Sequence, residues 1–295
     1  METIPQLSIH DYHQIFPLNT FHHVHALDGV NFDMYAGEIF GLVGESGCGK
    51  STLARAIMGM HKPSKGKIYY QNQCITDKHI SKELKKELQR SMQIIFQDSS
   101  VALNPRMSIE NCIAEPFDIH RLFHDKAERR EQVVKLLNMV GLNASFLDKI
   151  PAEISGGQKQ RVCIARALAL EPKIIIADEP VSSLDVSIQA QIINLFLELR
   201  KKLGFSLLFI AHDLSMVQYL CDRVGVMYRG KIVEIAETKT LFSNPLHPYT
   251  QMLLSAIPKP DPDTEKNKTF TTNIDIKINK TGQLHEAAPN HFILE

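Results

Sequence analysis

The order of apolar and polar residues divides the chain into a β-rich start, a helical middle and an alternating strand and helix pattern. Over the first forty residues the two classes alternate, as in Val24-His25-Ala26-Leu27-Asp28-Gly29-Val30-Asn31-Phe32. Alternation predicts antiparallel strands, with turns expected at Asp28-Gly29 and Ala36-Gly37. The apolar run Glu38-Ile39-Phe40-Gly41-Leu42-Val43 predicts a buried strand, followed by a helix from Ser51 to Met60 that stops at Lys62-Pro63. Gly66-Lys67-Ile68-Tyr69-Tyr70 and Gln93-Ile94-Ile95-Phe96-Gln97-Asp98 predict further strands, separated by a charged helix from Ser81 to Met92. From Ser108 to Leu142 the period becomes helical, with Val133, Leu136, Leu137 and Val140 on one stripe and Gly141 as the stop. A helix through Val162, Ala165, Leu168 and Ala169 ends before Glu171-Pro172. The run Ile174-Ile175-Ile176-Ala177 then predicts a buried strand leading into Asp178 and Glu179. The next helix carries Ile188, Ile192, Leu195 and Leu199 on one face and ends at Gly204, before a strand from Phe205 to Ile210. The pattern is that of an α/β chain with an N-terminal antiparallel β part and a helical insert at about residues 98–170.

Composition narrows the class. The 295 residues are 44% hydrophobic and carry 33 basic and 33 acidic side chains, giving zero formal charge. That balance argues against a nucleic-acid partner held by overall basicity. No apolar stretch approaches the roughly 20 residues a bilayer span requires. The start, Met1-Glu2-Thr3-Ile4-Pro5, lacks the basic and apolar regions of a secretory signal, so a cytoplasmic location is expected. Cys48, Cys74, Cys112, Cys163 and Cys221 are widely separated and suit reduced thiols. His22, His23 and His25 have no carboxylate or cysteine at ligand spacing and read as strand residues.

The candidate chemistry centres on Gly44-Glu45-Ser46-Gly47-Cys48-Gly49-Lys50-Ser51, a G-x-x-x-x-G-K-S phosphate loop between a predicted strand and a predicted helix. Glycines let the backbone approach a polyphosphate, so that N–H groups and the helix N-terminus face anionic oxygens. Lys50 supplies a point charge, Ser51 a hydroxyl for Mg²⁺, and Thr52 a hydroxyl for a phosphate oxygen. Gln97, at a strand end, offers its carbonyl oxygen to a cation. Ser155-Gly156-Gly157-Gln158 opens a helix and forms a second anion-type N-terminus. Asp178 and Glu179 are expensive at the end of a core strand unless a cation uses them. Asp178 is therefore expected to hold the metal or its waters, and Glu179 to deprotonate an attacking water. His212 lies just past a strand end, where such folds bind ligands. Tyr12 is the first candidate for stacking on a nucleobase and Phe16 the second.

These segments together, GESGCGKS, Gln97, ISGGQ, IIIADE, SSLD and AHD in this order, resemble the cytoplasmic ATPase subunit of an ABC transporter over nearly the whole chain. Asn104-Pro105-Arg106-Met107, Asn244-Pro245-Leu246-His247-Pro248-Tyr249-Thr250 and Leu284-His285-Glu286-Ala287-Ala288-Pro289-Asn290-His291-Phe292 are similar to the oligopeptide/dipeptide importer branch. The resemblance implies a phosphate-loop (RecA-like) ABC ATPase domain at residues 1–258 and a C-terminal extension at 259–295. It also implies ATP and Mg²⁺ as cofactors. Tyr12 would stack on adenine, Gln97 would sense Mg²⁺ and relay to the membrane subunit, and His212 would contact the γ-phosphate. Ser155, Gly156 and Gly157 would close over ATP held by a second ATPase subunit, identical or paralogous, with Asp185 coupling the two sites.

The implied partners are integral membrane permease subunits and, indirectly, an extracytoplasmic solute-binding protein, with the chain peripheral on the cytoplasmic face of the cell membrane. Ile154 stands where leucine is commoner in this signature, and the tail lacks a cysteine cluster, so no iron–sulfur cluster is expected. Peptides, metal chelates and other small solutes stay open as cargo. A non-transport ABC ATPase is the rival class, opposed by the single cassette, the lack of a long coiled-coil insertion and the importer-like tail. A non-catalytic regulatory partner is opposed by the complete set Lys50, Asp178, Glu179 and His212.

Overall fold

Alternation in the first strand is interrupted where the chain needs a bulge, and this decides which side chains enter the core. The computed structural model describes residues 4–17, 22–77, 79–256 and 282–294. They form two compact units, one made of the described residues up to 79 and from 209 onward, and the other of residues 80–208.

The first unit opens with β1 (Leu7–Pro17) and β2 (His23–Met34), paired antiparallel. Leu7 and Ile9 face inward, and strict alternation would send Asp11 in and Tyr12 out. Asp11 instead takes φ 46° and the register slips between Ile9 and Tyr12, so Tyr12 and Gln14 become the buried residues. Asp28-Gly29 is accordingly no turn: Gly29, at φ 76°, lies inside β2 between the partners of Tyr12 and His13. The expected turn at Ala36-Gly37 is present, with Gly37 at φ 73°. β3 (Ile39–Val43) is buried throughout and leads through the glycine-rich loop into α1 (Lys50–Ile57). That helix ends earlier than expected, because Gly59 at φ 71° closes it. The Met60 N–H reaches the Arg55 carbonyl and the Gly59 N–H the Ala56 carbonyl. β4 (Lys65–Tyr70) and β5 (Gln73–Cys74) complete an antiparallel sheet in the order β2-β1-β4-β5.

The second unit begins with α2 (Lys82–Ser91), capped by Ser81, and β6 (Met92–Ile95). Helices α3 (Ser99–Ala102), α4 (Ile109–His120), α5 (Lys126–Met139) and α6 (Gly156–Leu168) follow, in the span expected to be helical. The stretch from Ser108 to Leu142 forms two helices, separated where Arg121 turns left-handed at φ 53°. Val133, Leu136, Leu137 and Val140 are all buried, and Gly141 ends the second helix at φ 74°. β7 (Ile174–Asp178) lies parallel to β6. α7 (Val186–Leu203) runs from an Asp185 cap to Gly204, the limits its sequence predicts.

β8 (Ser206–Ala211) carries the chain back into the first unit. There α8 (Leu214–Leu220), β9 (Arg223–Tyr228), β10 (Lys231–Glu237), α9 (Thr238–Ser243) and α10 (Pro248–Ser255) follow. The tail returns as β11 (Leu284–Ala288) and β12 (His291–Leu294). In this unit the strands run in the order β11-β12-β10-β9-β3, with β9 parallel to β3 and β12 antiparallel to β10. Among the described residues, no helix is long and apolar enough to cross a membrane.

Candidate functional site

The first unit holds the phosphate loop. A Cβ on Gly44 would sit 2.1 Å from the Met227 carbonyl oxygen, and one on Gly49 would sit 2.5 Å from that of Ala26. Both glycines have positive φ, 152° and 116°, so neither space nor backbone admits another residue. Gly47, at φ 80°, faces open space. The loop thus closes tightly on one side and stays accessible on the other, a shape that fits a polyphosphate. Gly49 caps α1, and the Leu53 N–H reaches back to its carbonyl at 2.9 Å. The N–H groups of Lys50, Ser51 and Thr52 precede that bond and have no carbonyl one turn back within the helix. Lys50 is buried, with Nζ donating to the carbonyls of Gly44 at 2.8 Å and Glu45 at 2.9 Å. Ser46 is exposed, while Ser51 and Thr52 are half-buried in the first turn.

Cys48 is 7% exposed, and its Sγ lies 3.9 Å from Lys50 Nζ. Burial pushes its thiol pKa up, against the pull of the Lys50 ammonium. His212 is exposed just past β8, and Asp213 beside it caps α8. Tyr12 requires a correction. It is fully buried by the bulge in β1, its hydroxyl donates to Gln14 Oε1 at 3.4 Å, and its ring has no face left for a base. Phe16 is half-exposed in the same strand and meets His61 edge-on at 5.2 Å.

The second unit holds the acids and the second helix terminus. Asp178 is 3% exposed at the end of β7. Glu179 follows at φ 47°, a left-handed conformation that a glutamate adopts only when its surroundings impose it. Ser182 holds this turn, its N–H and hydroxyl both donating to the Glu179 carbonyl, at 3.3 and 3.1 Å. The Glu179 side chain is met by Gln97, whose Nε2 donates to Oε2 at 3.0 Å. The two residues are remote in sequence, and neither the pairing nor the strained backbone is visible in the motifs. The signal that was available is that both residues follow strand ends, Gln97 two residues past β6 and Glu179 one past β7, and these strands lie side by side.

Ser155 caps α6 in a reciprocal box: its hydroxyl accepts the Gln158 N–H at 3.3 Å, and Gln158 Oε1 accepts the Ser155 N–H at 3.0 Å. Ser155 and Gly156 are exposed, so this terminus is open to solvent. Gly157 is dictated by packing, since a Cβ there would lie 2.6 Å from Ile188 Cγ2 of α7. Asp185 accepts the Ser187 hydroxyl at 2.6 Å and the Ile188 N–H at 3.0 Å. These two bonds hold its carboxyl below the usual carboxylate range.

A contact absent from the sequence reading joins the phosphate loop to α10: the Glu45 N–H donates to the Tyr249 hydroxyl at 3.0 Å. Asn244–Thr250 is legible as a segment typical of one family branch, but nothing in it announces this partner.

Residues 27–182 match the family described as ABC transporter, and residues 233–281 match the C-terminal region of oligopeptide/dipeptide transporters. An oligopeptide transport ATP-binding protein, OppF of Bacillus subtilis, is 50% identical over 286 residues, 96% of this chain and 92% of the relative. The dipeptide transport ATP-binding protein DppF of Lactococcus lactis is 44% identical, over 91% of this chain and 86% of its own length. Among solved structures, CbiO1 of Clostridium perfringens, part of an ABC transporter complex, is similar with TM-score 0.70 and 32% identity, covering 81% of this chain and 91% of that one. A dimeric ATP-binding cassette in a post-hydrolysis state with ADP and Pi is similar with TM-score 0.70 and 27% identity, covering 79% and 98%.

Proposed function

This chain belongs to the ABC transporter ATP-binding proteins, and from that premise we propose that it hydrolyses ATP to power an importer of oligopeptides or dipeptides. The observation that carries the catalytic part is the Gln97 to Glu179 hydrogen bond at 3.0 Å, made by a glutamate held at φ 47°. A carboxylate fixed in position by its backbone and by a neighbouring amide suits a general base, which must meet a water in one orientation. Glu179 takes the proton of that water, and Gln97 keeps Oε2 in place. Lys50 and the N–H groups at the start of α1 bind the phosphates. His212 contacts the terminal phosphate.

The Ser51 hydroxyl of the first unit, and the Asp178 carboxylate and Gln97 carbonyl oxygen of the second, are each groups of the kind that holds Mg²⁺, which when bound would offset charge on the phosphates. Phe16 replaces Tyr12 as the ring offered to adenine. The exposed terminus at Ser155, Gly156, Gly157 and Gln158 serves ATP held by a second ATPase subunit, and Asp185 couples the two sites.

Residues 1–258 form the ATPase domain, with the insert at about residues 98–170, and residues 259–295 the extension. Permease subunits anchor the pair on the cytoplasmic face of the membrane, and a solute-binding protein delivers the cargo. The peptide assignment draws on the match at residues 233–281 and on the peptide-transport relatives.

Glu179→Gln tests the catalytic part: ATP binding is retained while turnover falls by about 10²–10⁴-fold. Wild-type turnover in that variant would remove Glu179 as the base. Co-purification with ribosomes or DNA, and not with permease subunits, would overturn the transport part.

A further inference from the structure

A line of buried polar contacts runs from the C-terminal hairpin to the phosphate loop, wholly within the first unit. Glu234 of β10 is fully buried, and a buried carboxylate is costly unless its oxygens are used. Its Oε1 accepts the Leu246 N–H at 2.8 Å and lies 2.7 Å from Nε2 of His291 in β12. Its Oε2 accepts the His247 N–H at 3.0 Å. His247 is itself buried, and its Nδ1 accepts the Tyr249 N–H at 3.1 Å. Burial lowers the His247 pKa, which favours the neutral imidazole that leaves Nδ1 an acceptor.

Tyr249 is fully buried, with its ring against Tyr228 at 4.2 Å between centroids. Its hydroxyl is thereby held where it accepts the Glu45 N–H at 3.0 Å. The same Glu45 residue is gripped through its carbonyl, which accepts Lys50 Nζ at 2.9 Å and the Cys48 N–H at 3.3 Å. Tyr249 is therefore a contact from outside the loop that fixes the residue to which the phosphate-binding lysine is tied.

We propose that Tyr249 is a positioning residue for the phosphate loop, and that the C-terminal hairpin sets it through His291 and Glu234. The inference rests on the loop being the nucleotide site. It assigns the tail a role in nucleotide affinity: β12 fixes Glu234, Glu234 fixes the backbone at Leu246 and His247, and that turn aims the Tyr249 hydroxyl.

The test uses the full chain, titrated with a fluorescent ATP analogue in Mg²⁺, with thermal melts to measure the folded fraction. Tyr249→Phe keeps the ring and removes the hydroxyl, so one hydrogen bond to the loop is lost. The expected result is a Kd and a KM for ATP raised about three- to tenfold, while kcat falls by less than about twofold. A purely structural role would instead lower the folded fraction and kcat and leave Kd of the folded protein unchanged, which would overturn the proposal. His291→Ala should raise Kd in the wild-type background and add little in the Tyr249→Phe background, because both act through one chain of contacts. Additive effects would overturn the part assigned to the hairpin. Lys50→Ala separates the two levels. If it leaves binding intact, the reading of the loop fails, and if it abolishes binding while Tyr249→Phe does nothing, this inference alone fails.

Discussion

At the scale of single residues, the phosphate loop couples reactivity to shape. Cys48 is surrounded closely enough that a Cβ on Gly44 would come within 2.9 Å of its sulfur, and its thiol pKa is raised by burial. The thiolate is the reactive form, so the residue is slow to alkylate near neutral pH despite the lysine beside it. Peptide mapping by mass spectrometry should show half-buried Cys74 labelled before Cys48, and Cys48 labelled faster as pH rises. A bulky adduct on Cys48 should abolish nucleotide binding, and MgATP should slow its formation. Equal labelling with and without nucleotide, or normal binding by the modified protein, would sink that account. Glu179 shows the complementary case, in which backbone strain of about 1–3 kcal/mol persists because the Ser182 turn holds it.

Elements are set by their ends. The α7 helix depends on Asp185, whose carboxylate meets the Ile188 N–H at the terminus where negative charge is favoured. Because the Ser187 hydroxyl and then the Ile188 N–H lower its pKa in the folded protein, its contribution has a definite sign with pH. It is fully present above the unfolded value of about 3.9 and is lost as pH falls through the lower folded value. Asp185→Ala should therefore melt below wild type at pH 7, with the gap narrowing in acid below about pH 4. A gap that stays constant across that range would count against charge in the cap. The same terminus packs α6 close, since Gly157 leaves room for Ile188, so the exposed cap at Ser155 and the cap at Asp185 belong to neighbouring helices.

For the whole molecule, the proposed pairing of two ATPase subunits places Lys50 and Ser155 of one chain in different sites. If the pair is a homodimer, Lys50→Ala and Ser155→Arg each silence it alone. Mixing the two inactive proteins should restore measurable ATPase activity, because one site then combines wild-type Lys50 with wild-type Ser155. A dimer with both substitutions on one chain leaves a defect in each site and should stay inactive. With subunit exchange verified, mixtures as dead as the parents would refute separate, independently competent sites.

The sequence by itself determined the strands and helices that carry chemistry, because their signals are local. A glycine-rich loop between an apolar run and a helix, an apolar run ending in Asp178-Glu179, and Asp185 three residues before Ile188 all act over a few bonds. Their limits shifted in places, as at Gly59, which ended a helix sooner than the next proline, and at β6, which stops at Ile95 before Gln97. What the tertiary structure decided were the outcomes that depend on counting or on distance. One extra residue in β1 between Ile9 and Tyr12 turned Tyr12 and Gln14 inward, and periodicity cannot count a bulge. Gln97 and Glu179 are 82 residues apart, and Glu45 and Tyr249 are 204 apart. Contacts of that kind are made only when segments far apart in the chain become neighbours, since a hydrogen bond needs its two atoms within about 3 Å whatever their order in the sequence.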